Sequence, residues 1–264
     1  MAIVSHKVQT TRHRIKAFLN VKDEYQIIFS DTPGIINPKY KLHERMMAQV
    51  KGALEDADVA LLLYDLQENN FEEAHAIFTS LKLKVPAILV ANKSDAVKQS
   101  IKDKAEAFFT AQTYCKKYME ISALEQKNTG VLLAEIISHL PEGLPYYDED
   151  DMSDMPTKFF VSEMIREKVY ELFGDEIPYH TAVNINEFKE KTTLVKIQAD
   201  IIVQRESQKA IIIGDKGSMI KQVGSLARKD IEEFLQQKIF LELFVKVRPK
   251  WRDNEQKLKE YGYK

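Results

Sequence analysis

Apolar and polar positions alternate with a period of two at Ile15, Ala17, Leu19 and Val21, break at Lys22-Asp23-Glu24, and the apolar character returns from Tyr25 to Ser30. Successive side chains of a strand point to opposite faces, so this pattern predicts a β-hairpin. The runs 59–65 and 86–91 are apolar without alternation, as in strands covered on both faces. Around them apolar residues recur at helical spacing: from Leu42 to Leu54, then at Phe71, Ala74, Phe78 and Leu81, then from about Val97 to Lys117 and from about Thr129 to Leu140. A short strand is expected at 119–121. Strands alternating with helices predict an α/β domain with a doubly wound, mostly parallel sheet, the hairpin giving one antiparallel pair at its edge.

Pro141-Glu142-Gly143-Leu144-Pro145 closes this first domain, expected at 1–145. Residues 146–157 are acidic and lack periodicity, which reads as a linker or as an ordered acidic surface loop. The second domain, 158–264, follows a different order. An amphipathic helix from Phe159 to Phe173 is stopped by Gly174. Strands at 179–188 and 193–204 are joined by Lys189-Glu190-Lys191. A short apolar element at 210–213 meets Gly214-Asp215-Lys216-Gly217, and a helix to about Gln237 and a strand at 240–247 complete it.

Composition narrows the class. About 44% of the 264 residues are hydrophobic and 30% charged, a globular balance. The net charge of −2 gives no overall nucleic-acid signal, yet from Ile201 to Lys264 there are 14 Lys/Arg against 9 Asp/Glu. A single cysteine, Cys115, excludes an internal disulfide. Neither it nor the six histidines show metal-ligand spacing. No apolar run approaches the roughly 20 residues needed to span a bilayer, and the first seven residues, with no long apolar core, are not expected to act as a signal peptide.

The strand ends carry the candidate chemistry. The run Ile27-Ile28-Phe29-Ser30 stops at Asp31-Thr32-Pro33-Gly34. Ligands of open α/β sheets bind beyond the carboxyl ends of the strands. There Asp31 could hold magnesium, directly or through water, and the Gly34 N–H could approach a phosphate; the plain alternative is a strand followed by a tight turn. The next apolar strand stops at Asn92-Lys93-Ser94-Asp95. A carboxylate at Asp95 can accept two hydrogen bonds from a purine edge with adjacent N–H donors, which guanine has and adenine lacks. The Lys93 stem can lie along the base or sugar, and Asn92 can brace neighbouring loops. At Ser122-Ala123-Leu124 a backbone N–H could meet the guanine carbonyl. Three such strand ends in order exceed what any one of them says.

DTPG, NKSD and SAL, with Gln9-Thr10-Thr11-Arg12-His13-Arg14 upstream, resemble the nucleotide motifs of the Era family, translation-factor-type GTPases of ribosome assembly with an RNA-binding tail. The resemblance implies a P-loop-NTPase-type G domain that binds GTP or GDP with Mg2+. Thr11 would lie in switch I and ligate the magnesium beside Asp31; a plain β-propensity threonine entering a strand is the alternative. Ile35 stands where many GTPases carry the glutamine that orients the attacking water, so no catalytic residue is assigned and slow hydrolysis is expected.

No GxxxxGK[ST] occurs, and the only glycines before residue 100 are Gly34 and Gly52. The expectation is therefore an amino-terminally truncated G domain that starts at switch I and binds nucleotide poorly. A GTPase-dead paralogue that acts only as an RNA-binding protein is the rival.

The second half resembles a type II KH domain, an α+β module that clamps single-stranded nucleic acid along a GxxG loop. Gly214 and Gly217 would let a phosphate backbone approach, Lys216 adds charge in the loop, and Lys209 and Lys221 flank it. Asp215 opposes phosphate. Ile211, Ile213 and Ile220 could floor a groove under the bases. The basic stretch 246–252 could extend the surface, although Trp251 reads better as a buried anchor. The resemblance further implies small-subunit ribosomal RNA and the 30S subunit as partners. It implies a monomer without a DNA partner, in the cytoplasm and with possible peripheral contact at the inner membrane surface.

Overall fold

The computed structural model describes residues 7, 9–190 and 193–263. In chain order the elements are β1 (Ile15–Val21), β2 (Tyr25–Asp31), α1 (Lys41–Glu55), β3 (Ala60–Asp65), α2 (Phe71–Ser80), β4 (Ala87–Asn92), α3 (Gln99–Thr110), β5 (Cys115–Glu120) and α4 (Thr129–Ser138). They continue with α5 (Thr157–Leu172), α6 (Ile177–His180), β6 (Ala182–Glu190), β7 (Val195–Val203), α7 (Glu206–Ile213), α8 (Ser218–Leu235), β8 (Ile239–Val247) and α9 (Glu255–Glu260). Single 3-10 turns lie at Asp215–Gly217 and Trp251–Asp253. Backbone contacts gather the chain into two compact units. One holds the described residues through Phe18, Ile28–Val50 and those from Asp151 onward; the other holds Leu19–Ile27 and Lys51–Asp150.

In the second of these, β3, β4 and β5 form a parallel sheet in that order. β4 is central, and its residues Ala87 to Ala91 are fully buried, as a strand covered on both faces must be. Leu62, Tyr64, Leu89, Phe78 and Phe109 join one core under α2 and α3. Asn70 caps α2: its side-chain oxygen accepts the Glu73 N–H at 3.4 Å, satisfying one of the orphan donors of the first turn.

The other unit carries a three-stranded sheet, order β6-β7-β8, antiparallel between β6 and β7 and parallel between β7 and β8. Helix α8 buries Val223, Ala227 and Ile231, spaced by four, against Ile197, Ile201 and the α5 residues Val161, Ile165 and Val169. A separate cluster joins Leu42 and Met46 of α1 to Trp251, Leu258, Tyr261 and Tyr263.

In the same unit Lys7 and residues 9–13 are strapped down. Lys7 donates to the Tyr170 and Phe173 carbonyls at the end of α5, where the helix dipole favours a cation. The Tyr170 hydroxyl donates to the Gln9 carbonyl at 3.0 Å, and Arg166, itself paired with Glu163, donates to the Thr10 carbonyl. The Arg12 guanidinium, 3% exposed, donates to the carbonyls of Thr181 and Pro178 at 2.7 and 2.9 Å. It also reaches the Tyr170 and Tyr263 hydroxyls at 3.2 and 3.4 Å.

Several expectations need correction. The hairpin is present, but among the described residues β1 and β2 form a two-stranded sheet of their own, with an isolated antiparallel bridge from Ala17 to Ser153, and β3 pairs with β4 and not with the hairpin. The helix expected over 97–117 ends at Thr110, and β5 begins at Cys115 rather than 119. Thr113, Tyr114 and Cys115 are poor helix formers, and lysines 116 and 117 of the strand are exposed, which hides its apolar pattern. The apolar element at 210–213 is the end of α7, begun at Glu206, where the Gln208 side chain accepts the Gln204 and Arg205 N–H groups at 3.0 and 3.1 Å. Helices α6 and α9 were not foreseen. Lys191, in the expected turn, and residues 1–6 and 8, in the expected switch I, lie outside the described residues.

Candidate functional site

The β4–α3 loop is braced from the β5 side. The Asn92 side-chain oxygen accepts the Ala123 N–H at 3.0 Å, and the Ser94 N–H donates to the Ile121 carbonyl at 3.0 Å. Ser122 is fully buried. Its hydroxyl hydrogen bonds the Asp95 carboxylate and holds that group below the usual carboxylate range; its oxygen accepts the Glu125 N–H at 3.1 Å. Asn128 ties the far side of this loop through its amide to the Glu120 carbonyl at 2.9 Å. Asn92, Asp95, Ser122 and Ala123 thus form one connected cluster at the carboxyl ends of β4 and β5, with an ionised Asp95 as its acceptor. Lys93 turns the other way, onto Asp65 at 2.5 Å.

In the other unit, β2 ends on Asp31. The Thr11 hydroxyl donates to its carboxylate at 3.2 Å. Desolvation by surrounding protein atoms pushes the Asp31 carboxyl up from its ordinary value, against the pull of the Thr11 hydroxyl and the Thr32 N–H. A hydroxyl and a carboxylate at this separation are hard oxygen donors of the kind Mg2+ takes. Pro33 is buried, and Gly34 is exposed with nothing within 4 Å of where a Cβ would stand, so its backbone is open to approach. Ile35 is 38% exposed.

The Gly214–Gly217 turn joins α7 to α8. Gly214 has φ +71°, and an added Cβ would stand 2.6 Å from Met219 Cγ and 2.9 Å from the Met219 backbone nitrogen. Only glycine fits that bend. Gly217 has φ +80° with Ile220 4.0 Å away, and Lys216 between them is also left-handed, φ 47°. Asp215, Lys216 and Lys221 are exposed and Lys209 half-buried. Ile211 is 51% exposed, whereas Ile213 and Ile220 pack partly into the core. The turn therefore offers a backbone open at Gly217, the free N–H groups of α8 and exposed lysines. Trp251 is buried, and its indole N–H donates to the His180 carbonyl at 3.0 Å, the anchor role expected of it.

Sequence reasoning missed Asp65, Asn128 and the burial of Arg12. An acid closing a buried strand was a readable signal for Asp65; nothing local marks the other two. No group of three or more His, Cys, Asp or Glu side chains suited to a metal occurs among the described residues.

Comparison with known proteins agrees with this layout. Residues 1–93 match a family described as 50S ribosome-binding GTPase, and residues 176–252 match the KH domain. A GTPase Era from Geotalea daltonii is 42% identical over the whole of this chain and 89% of its own length. One from Clostridium kluyveri is 41% identical over the whole of this chain and 90% of its own. Among solved structures, Era in complex with MgGDPNP and nucleotides 1506–1542 of 16S ribosomal RNA superposes with a TM-score of 0.95 at 36% identity, covering 99% of this chain and 90% of that one. Aquifex aeolicus Era bound to GDP·AlF4− gives 0.93 over the same shares. With the strand-end cluster in one unit and the glycine turn of a KH domain in the other, the chain belongs to the GTPase Era family.

Proposed function

We propose that this chain binds small-subunit ribosomal RNA through its KH half, 158–264, and reads guanine through the strand-end cluster of its G domain, 1–145, the two being joined by the acidic stretch 146–157. The observation that carries the RNA reading is the Gly214–Gly217 turn: a left-handed backbone at the head of α8, open at Gly217, with Lys209, Lys216 and Lys221 bearing no ion pair among the described residues. The solved Era that holds a 16S ribosomal RNA segment supports it.

Asn92, Lys93, Asp95, Ser122 and Ala123 would hold a guanine base, and in the other unit Asp31, Thr32, Pro33, Gly34 and Thr11 would serve phosphate and magnesium. The Thr11–Asp31 pair fits Mg2+ by donor chemistry, and the ion would neutralise phosphate charge there. The sequence contains no GxxxxGK[ST], the element that cradles the β and γ phosphates, and so the chain as given binds guanine nucleotide weakly. A purely RNA-binding role, with the α/β unit as scaffold, is the second reading. Small-subunit assembly in the cytoplasm as a monomer, with any membrane contact peripheral, completes the proposal.

The RNA experiment is fluorescence anisotropy with a labelled 16S oligomer spanning 1506–1542. Replacing Asp215 and Lys216 together by leucine is expected to weaken binding at least tenfold; unchanged affinity rejects the KH reading. For nucleotide, a fluorescent GDP titration is expected to show no saturation at micromolar concentration. Saturation there rejects both the weak-binding expectation and the scaffold reading.

A further inference from the structure

The base-reading loop is held from both sides, and only one side is explained by the guanine reading. From β5 come the Ala123 N–H and the Ser122 hydroxyl. From β3 comes Asp65, in register with Asn92. One Asp65 oxygen accepts the Gln67 N–H at 2.9 Å. The other takes the Lys93 ammonium at 2.5 Å, and this contact, far more than Asp95, raises the Lys93 pKa. Lys93 itself is left-handed, φ 62°.

We propose that Asp65 is the positioning residue of the guanine reader: it draws the Lys93 ammonium away from Asp95 and fixes the lysine stem as a shelf for the flat face of the purine. This rests on the guanine reading of the cluster. The pair is too exposed, 49% and 28% at the two side chains, to contribute much to folding. Its effect is one of order and of charge. A lysine side chain has large rotamer freedom, and one whose ammonium is anchored meets the ligand with that freedom already spent. Lys93 lies only two residues from Asp95, the carboxylate that must stay open to the two guanine N–H donors. With Asp65 as partner, the ammonium does not compete for it.

The test is 15N-correlation NMR on the full chain with guanosine, and with adenosine as control, so that the phosphate end is not involved. Guanosine is expected to shift the amides of 92–95 and 122–123, and adenosine to leave them in place. Asp65→Asn is expected to weaken guanosine binding fivefold or more, and Asp65→Glu, which keeps the charge, to recover at least half of that loss. In a Lys93→Met background, which keeps a stem without an ammonium, Asp65→Asn is expected to have no further effect. Circular dichroism melts identify any variant that fails to fold, and Asp65→Glu and Lys93→Met stand in for one that does. The proposal is overturned if folded Asp65→Asn binds guanosine as the parent does, or if the same loss persists in the Lys93→Met background. Parent chain that shifts equally with both nucleosides, or with neither, brings down the guanine reading itself.

Discussion

The Arg12 guanidinium donates to the Thr181 carbonyl at 2.7 Å across 169 residues of sequence. It closes a socket of two carbonyls and two tyrosine hydroxyls, and the residue beside it is Thr11, whose hydroxyl meets Asp31. A cation this deep is tolerated because its two terminal nitrogens donate four hydrogen bonds. Arg12→Met leaves the Thr181 and Pro178 carbonyls without that donor and is expected to destabilise this unit by about 3 kcal/mol. Urea unfolding followed by tryptophan emission measures it.

His13 gives the unit an acid dependence. Its ring stacks on Tyr263 at 4.5 Å and meets Phe159 edge-on at 5.2 Å. Burial pushes its pKa down to about 4, Glu163 pulling the other way and Arg166 and Arg12 reinforcing burial. The folded state then binds fewer protons than the unfolded state between about 6.5 and 4. Stability from this group is complete above pH 6.5 and falls as the pH drops towards 4. Burial likewise lowers His43 and His180 to about 4, so both steepen the fall. His13→Phe is expected to leave stability at pH 7.5 within about 1 kcal/mol and to flatten the pH 6.5-to-4 slope. Urea midpoints at half-unit pH steps read both.

The Ser122 hydroxyl orients the Asp95 carboxylate and holds its pKa below the ordinary value. Ser122→Ala removes the hydroxyl that holds this carboxyl low, and the Asp95 pKa is expected to rise towards its ordinary value. Carboxyl 13C titration follows it. Guanosine affinity at neutral pH is expected to fall several-fold, because the serine no longer fixes the carboxylate orientation.

The two glycines of the KH turn separate by steric demand. Gly214→Ala forces a Cβ against the Met219 backbone at a left-handed φ and is expected to cost well over the roughly 1–2 kcal/mol of the conformation alone, with loss of RNA binding. Gly217→Ala meets only an Ile220 methyl 4.0 Å away. It is expected to cost about 1 kcal/mol and to weaken RNA binding less. Thermal melts and oligomer anisotropy give the ranking.

What could be read from the chain followed how local each signal is. Asp31, Asn92 and Ser122 close apolar runs, so the pattern that predicts the strand also points to its end. Gly214 and Gly217 punctuate two helices within four residues. Arg12 could not be read, because its partners lie at 170, 178, 181 and 263 and none follows from its neighbours. Asp65 was visible as a strand end, but its meaning depends on Lys93, 28 residues later, turning back onto it. Helix α9 carries only one buried residue, Leu258, too little to make a periodic pattern; its Asn254 cap, which accepts the Lys257 N–H at 3.0 Å, was the sole clue. The separation of the hairpin from β3 is a matter of pairing, which apolar patterning does not encode.

Trp251, the single tryptophan of the chain, sits fully enclosed with its indole N–H on the His180 carbonyl and the Tyr261 and Tyr263 rings 5.9 and 6.1 Å away. The molecule therefore carries a native optical reporter confined to one of its two parts. A red shift of emission on denaturation records only the opening of the KH-bearing half, while the β3-β4-β5 sheet stays dark in that channel and must be followed by far-ultraviolet dichroism. Any gap between the two curves measures directly whether the halves melt together or in turn.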